Sequence, residues 1–192
     1  LTTQEALAER LRSLVNDTPW FMRALQAVAQ LDLPSCCIGA GAVRNLVWDA
    51  LHGFEVPSAL SDIDVAYFDA GNLQPQCETQ LRERLEMLSP GMPWEVCNQA
   101  GVHLWFEAYF GYAVSPLLSL EDAIASWPDY ATAVGVYLEA NGNINIIAPY
   151  GLDDLFNMLV RHNPVRISAD GYARRLVEKY DVQRWPRLTI IR

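Results

Sequence analysis

The stretch IGAGAVRNLVWDALHG, residues 38–53, places three small residues, Gly39, Ala40 and Gly41, between an apolar run and a segment of helical periodicity. Val43, Leu46, Val47 and Ala50 share one side of that helix, Arg44, Asn45 and Asp49 lie on others, and Gly53 is placed to end it. Ahead of the glycines, SCCIG (residues 35–39) reads as a short buried strand. A glycine turn between strand and helix frees backbone N–H groups to face an anion at the positive end of the helix dipole. Small residues are also what a close helix–strand contact needs, so the turn alone leaves phosphate binding and core packing both open.

SDIDVAYFD (residues 61–69) narrows the choice. Ile63, Val65 and Tyr67 alternate with Asp62, Asp64, Ala66 and Phe68, a strand pattern in which Asp62 and Asp64 project from one face. Two carboxylates so placed repel unless they share a cation, and Mg²⁺ takes oxygen ligands while leaving positions for substrate phosphates. A solvent-facing edge strand, or Asp62 as a cap residue, is the structural alternative. The pair begins 21 residues after Gly41, room for one helix and a return loop, so turn and carboxylates can meet at one end of adjacent strands. Phosphoryl transfer with metal ions also calls for a third carboxylate, to hold a second ion or draw the proton from an attacking hydroxyl. Glu95, in the strand-like WEVCN (residues 94–98), is the best placed, with Glu107 and Asp69 as substitutes.

Around this centre the chain alternates helices and strands. Leu7, Leu11, Leu14 and Val15 mark a first helix, and Asp17 or Thr18 ahead of Pro19 caps a second that runs to Leu33, where Pro34 ends it. Leu81, Leu85 and Leu88 mark an amphipathic helix, AGVHLWFEAYFG (residues 100–111) reads as another, and Ser119 with Asp122 resembles a capping box. From Thr132 the period switches to two alternating strands about Asn141 and Gly142, a hairpin signal. Asp153 and Asp154 open a helix over 152–160, and Ser168 precedes a last one ending near Tyr180. The pattern is that of an α/β (α+β) protein read as a single domain over 1–192: N-terminal helices over 3–33, a site-bearing core over 34–160 and a helical end over 161–192.

Composition sets limits on function. The 192 residues are 51% hydrophobic, enough for a substantial core, and the formal net charge of −9 leaves no broad basic face for duplex DNA. Eight of the 14 cations (Arg161, Arg166, Arg174, Arg175, Lys179, Arg184, Arg187 and Arg192) gather at the C-terminal end, where they read as a solvated helix face paired with acidic neighbours. No apolar run reaches 18 residues, so no membrane span is expected. Cys36, Cys37, Cys77 and Cys97 form no CxxC pair and read as reduced core thiols of a cytoplasmic protein. Trp94, Trp127 and Trp185 read as core residues, His103 as a core or rim residue, and His52 and His162 as exposed.

Glycine turn, arginine-bearing helix and strand DxD together resemble the DNA polymerase beta-like nucleotidyltransferase superfamily. GAVRN followed by SDIDV is similar to the head of tRNA CCA-adding enzymes. GAGAVRNLVWD, SDIDVAYFD, WEVCNQAGVHLW, WPDYATAVGV, IIAPYGLDDLF and RWPRL, spanning residues 37–188, resemble blocks of a family of small bacterial nucleotidyltransferase-like proteins. The resemblance implies a nucleotidyltransferase-like mixed β-sheet flanked by helices. It also implies transfer of a nucleoside monophosphate from an NTP to a hydroxyl, with release of pyrophosphate and Mg²⁺ (or Mn²⁺) as cofactor. Gly39 and Gly41 would cradle phosphates, Arg44 would organise the site or touch the nucleotide, Asp62 and Asp64 would hold the metal, and Glu95 would be the third carboxylate. The acceptor it leaves open: a small molecule, a protein or an RNA end. Asp129 and Thr132 fall in a shared block and are expected at a wall of the acceptor or base pocket. Two positions depart from the pattern, since Ala40 precedes Gly41 where a second glycine or a serine is usual, and Gly101 stands where the family places an arginine. Two alternatives stay beside the active enzyme: a non-catalytic nucleotide-sensing module on the same fold, and a tRNA 3′-end-modifying enzyme related to the CCA-adding enzymes. The acidic balance and the short chain argue against the second.

Overall fold

Thr2 and Glu5 form a reciprocal capping box at the start of α1 (Thr3–Asn16) in the computed structural model, which describes residues 2–180 and 182–191. Pro19 opens α2 (Pro19–Ala29) behind Thr18. That helix stops short of Leu33 because its last turn tightens, Leu31 N–H to Val28 O and Asp32 N–H to Ala29 O, and Asp32 then adopts φ 55°. β1 (Cys36–Gly39) runs directly into α3 (Ala40–His52), which Gly53 ends in the left-handed conformation, φ 68°. β2 (Ile63–Tyr67) returns antiparallel to β1, with Cys37 opposite Ala66 and Ile38 opposite Val65. α4 (Pro75–Leu88) then carries the chain to β3 (Trp94–Asn98), parallel to β2 and in a register that sets Glu95 opposite Asp64.

A 3-10 turn, Gln99–Gly101, leads into α5 (Val102–Phe110), and Ser119 Oγ caps α6 (Leu120–Ala125). β4 (Gly135–Leu138) and β5 (Ile144–Ile147) form the expected hairpin, turning at Gly142 with φ 86°. The five strands lie in the order β3-β2-β1-β4-β5, a mixed sheet. α7 (Asp153–Phe156) is one turn rather than a helix over 152–160, because Met158 takes φ 56° and the chain continues as β6 (Leu159–Arg161). α8 (Ala169–Lys179) begins behind Ser168, but the end over 161–192 is not all helical: β7 (Thr189–Ile191) pairs in parallel with β6.

Strand alternation divides the side chains between two faces. Ile38, Ile63, Val65, Tyr67 and Val136 enter the main core with α1, α2 and α3, whose Trp48 is fully buried. Cys37 and Ala66 face the other way, against Leu120 and Ile124 of α6. Each buried aliphatic side chain contributes about 1.5–3 kcal/mol. A slip of one residue in β2 would put Asp64 into the main core, so the register is strongly set. The C-terminal segment is pinned to α3: Trp48 stacks edge-on against Trp185 at 5.3 Å, and Trp185 Nε1 donates to Asp49 Oδ1 at 2.8 Å. His52 and His162 are half-buried rather than exposed, His52 Nδ1 lying 2.7 Å from Trp48 O and His162 Nε2 2.7 Å from Ile167 O. All four cysteines are free, and burial pushes the thiols of Cys36 up to about 11 and Cys97 up to about 12. No helix among the described residues is long and apolar enough to cross a membrane.

Candidate active site

On the second sheet face a cleft of ≈ 380 Å³ opens between the start of α3, the strands β2 and β3, and the helices α5 and α8. Its polar part is lined by Gly41, Arg44, Asp62, Asp64, Glu95, Arg175 and Lys179, its apolar flank by Val102, Trp105, Phe106, Phe110, Leu117 and Ile167. Asp62 immediately precedes β2 and accepts from Ser61 Oγ at 3.0 Å. Burial, then repulsion from Asp62 and Glu95, pushes the Asp64 carboxyl up to about 6, against the pull of Lys179 and Arg175. Glu95 is exposed at the matching register of the neighbouring strand. Among the described residues, no group of three or more His, Cys, Asp and Glu side chains is arranged to hold a metal ion. The three carboxylates therefore share one cleft without converging on a point.

The two glycines do different work. A Cβ on Gly41 would lie 3.9 Å from Asp62 Oδ1 and 3.7 Å from Arg44 Nη2, so the bare N-terminal turn of α3 faces the carboxylate pair. Gly39 does not line the cleft: its backbone is extended, and a Cβ there would stand 2.5 Å from Cη2 of Trp127. It is the seat on which the Trp127 indole packs, rather than an open cradle. Between them Ala40 carries φ 49°, so the left-handed step of the turn falls on a residue with a side chain.

Arg44 is only 7% exposed. Its Nε and Nη2 donate to Asn45 Oδ1 at 3.1 and 2.9 Å, and its guanidinium lies 5.6, 5.2 and 5.5 Å from the rings of Trp48, Tyr180 and Trp185. Among the described residues no carboxylate pairs with it. A caged cation that borders a cleft without a counter-ion is a ready partner for an anion.

Periodicity did not assign Lys179, Arg175 or Arg166 to the site. Lys179 Nζ lies 3.6 Å from Asp62 Oδ2, and Arg175 Nε lies 3.4 Å from Asp129 Oδ2. The expected acidic neighbours are present, but the face is turned into the cleft rather than to solvent. Asp129 is fully buried and accepts from Thr132 N–H at 3.1 Å and Thr132 Oγ1 at 2.7 Å, so it stands behind the wall, while Thr132 lines it. Arg166 borders the cleft above Phe106, and its Nη1 is buried without a hydrogen-bond partner. His103 and Gly101 lie outside the lining. The spacing Tyr172, Arg175, Lys179 puts all three on one face of α8, and buried Tyr172 was the signal that this face turns inward.

The sequence matches the nucleotidyltransferase family over residues 26–190, from within α2 to β7. The chain belongs to that family. A solution structure described as revealing a CCA-adding enzyme head domain matches with a TM-score of 0.79 at 26% identity, covering 95% of each chain. A tRNA-processing enzyme in an apo form matches with a TM-score of 0.50 at 18% identity; it covers 100% of this chain, which spans 45% of that protein, and the likeness is one of fold. No curated protein matches. The fold of the nucleotidyltransferase is thus that of the head domain, with the glycine turn, the aspartate pair and Glu95 facing a common cleft.

Proposed function

We propose that this nucleotidyltransferase is Mg²⁺-dependent, with Mn²⁺ able to serve, and moves a nucleoside monophosphate from an NTP to an acceptor hydroxyl with release of pyrophosphate. The reading is carried by one juxtaposition: the bare turn of Gly41 facing Asp62, beside Asp64 and the caged Arg44. Asp64, driven up to about 6, is a carboxylate short of positive charge, and that fits a cation shared with Asp62. Mg²⁺ commonly keeps one or two carboxylates and completes its shell with water and phosphate oxygens, which suits a site without a converging third ligand. When bound, the ion would supply charge neutralisation on the transferring and leaving phosphates.

The protein groups then divide the work. Asp62 and Asp64 hold the ion, Gly41 N–H and the α3 dipole receive phosphate oxygens, and Arg44 binds an anionic oxygen from its aromatic cage. Glu95 is the third carboxylate and takes the acceptor proton. Gly39 acts indirectly, by seating Trp127 beneath the turn. The whole chain works as one such domain, and its free thiols, one buried and three half-buried, suit a reducing cytoplasm.

A small-molecule acceptor is favoured over an RNA end. The sequence has no lysine or arginine between Arg84 and Arg161, a tract that includes β3, α5 and α6. α5 instead exposes Leu104, Trp105 and Tyr109. An RNA end held there would find one cation, Arg166 above Phe106, for its several phosphates. Ala40 in the turn, where the left-handed step falls on a residue with a side chain, favours one second reading, a nucleotide-sensing module without transfer. Each NTP, supplied with Mg²⁺ and either the small-molecule or the RNA fraction of a cell extract, separates these readings. We expect pyrophosphate release with the small-molecule fraction, slowed about 100-fold or more by Glu95→Gln. Nucleotide binding without release would establish the sensor, and release that needs RNA would restore the tRNA 3′-end reading.

A further inference from the structure

The chain contains a single lysine, and it lies on the carboxylate that the proposed function gives to the metal. We propose that Lys179 is a place-holder cation: it neutralises Asp62 until nucleotide and metal arrive, then swings to a phosphate oxygen of the triphosphate, which Arg175 also binds. The proposal rests on the nucleotidyltransferase reading and adds the α8 face to the nucleotide site.

Placement comes first. Arg175 and Lys179 are one turn apart on α8 and both line the cleft, while Val177 between them is 86% exposed. The helix is locked by what surrounds it: Tyr172 is buried on the same face, and Tyr180 packs against Trp48 of α3 at 5.9 Å. Arg175 is fixed through Nε by Asp129, which Thr132 holds from two donors. That contact uses one edge of the guanidinium and leaves the Nη groups for another oxygen ligand. Lys179 is not fixed in this way. Its side chain is 42% exposed and its one contact to Asp62 is long, so rotamer changes along a four-carbon stem can move the ammonium while α8 stays in place.

Charge completes the argument. Without ligand, Asp62, Asp64 and Glu95 crowd one cleft, and Lys179 is the only cation within ion-pair distance of any of them among the described residues. An arriving divalent ion would meet the ammonium as a competitor for Asp62. A triphosphate arriving with it offers the displaced ammonium a stronger partner, since phosphate oxygens carry more charge than one carboxylate. Removing the lysine should therefore change metal binding and phosphate binding in opposite directions. A lysine that merely braced the fold would change both in the same direction.

The test uses the whole chain, Mn²⁺ alone by electron paramagnetic resonance, and inorganic tripolyphosphate with Mg²⁺ by calorimetry, a probe that needs no knowledge of the base. Lys179→Met should bind Mn²⁺ alone about two- to fivefold more tightly than wild type. It should bind Mg²⁺–tripolyphosphate about tenfold more weakly, and Lys179→Arg should recover most of the second loss. Circular dichroism and melting checks that each variant is folded. If Lys179→Met weakens both ligands, leaves either unchanged or tightens both, the place-holder role is wrong while the nucleotide site stands. If wild type binds neither Mn²⁺ nor tripolyphosphate, the proposed nucleotide site itself fails and the place-holder goes with it.

Discussion

Single residues separate the structural from the chemical role of the glycine turn. Gly39→Ala forces a Cβ to 2.5 Å from Trp127 and should destabilise the protein by about 1–3 kcal/mol in a denaturant melt. Gly41→Ala meets only ordinary contacts at 3.7 and 3.9 Å and lies in a helix, so stability should hold or rise while Mg²⁺–nucleotide affinity falls. Ala40→Gly should stabilise by about 0.5–1 kcal/mol, because glycine carries φ 49° without the Cβ penalty. Asp64 offers a pH signature. Its folded pKa of about 6 lies above the ordinary carboxyl range, so the folded state holds the proton more tightly, and the stability this confers is full below that range and lost as pH rises from it through 6. Asp64→Asn should then raise the stability of the ligand-free protein by about 1–2 kcal/mol at pH 7.5 and leave it nearly unchanged near pH 3, read from paired melts. Asp62 and Asp64 were legible as a same-face pair because strand alternation is local. That Gly39 seats an indole was not, because Trp127 is distant in sequence and only the folded chain brings it there.

At the scale of elements, β1, α3 and β2 follow from periodicity and small residues, and the register of β3 against β2 sets Glu95 beside Asp64. α8 was legible as a helix but not as a wall of the site. Its cations resemble a solvated face in sequence; what turns them inward is Tyr172, stacked on His162, together with Tyr180 and Trp185 packed on Trp48 more than a hundred residues earlier and the tie of Arg175 to Asp129. The single-turn α7 and the β6–β7 pair also escaped, since a run of three residues at each strand gives alternation too little length to show. Asp129 ties α8 to the sheet side. Asp129→Ala would leave the half-buried Arg175 without its carboxylate and remove two bonds from Thr132, with an expected loss of about 1–3 kcal/mol in unfolding free energy. Asp129→Asn keeps the acceptor for Thr132, so it should lose less.

For the molecule as a whole, charge distribution bears on what it can recognise. All the cations beyond Arg84 lie from Arg161 onward, and of those that reach the cleft Arg175 and Lys179 stand on the carboxylate side while Arg166 alone lies over the α5 flank. Any weak RNA binding should consequently be lost between 50 and 200 mM salt, whereas nucleotide binding, which rests on a few contacts in a cleft, should survive that change. The family and the mixed sheet were readable as what the resemblance of the glycine turn, the arginine-bearing helix and the DxD blocks implies; the inward face of α8 and the place of Arg166 were not, because no spacing rule connects them to the carboxylates. The most direct test of the central claim is calorimetric titration of the intact chain with ATP, CTP, GTP and UTP, with and without Mg²⁺, in wild type and in the Asp62→Asn, Asp64→Asn double variant. The account predicts that at least one triphosphate binds wild type, only with Mg²⁺, and that the double variant does not bind it. Binding that is equal in the two proteins, or absent from wild type for all four triphosphates, would contradict it.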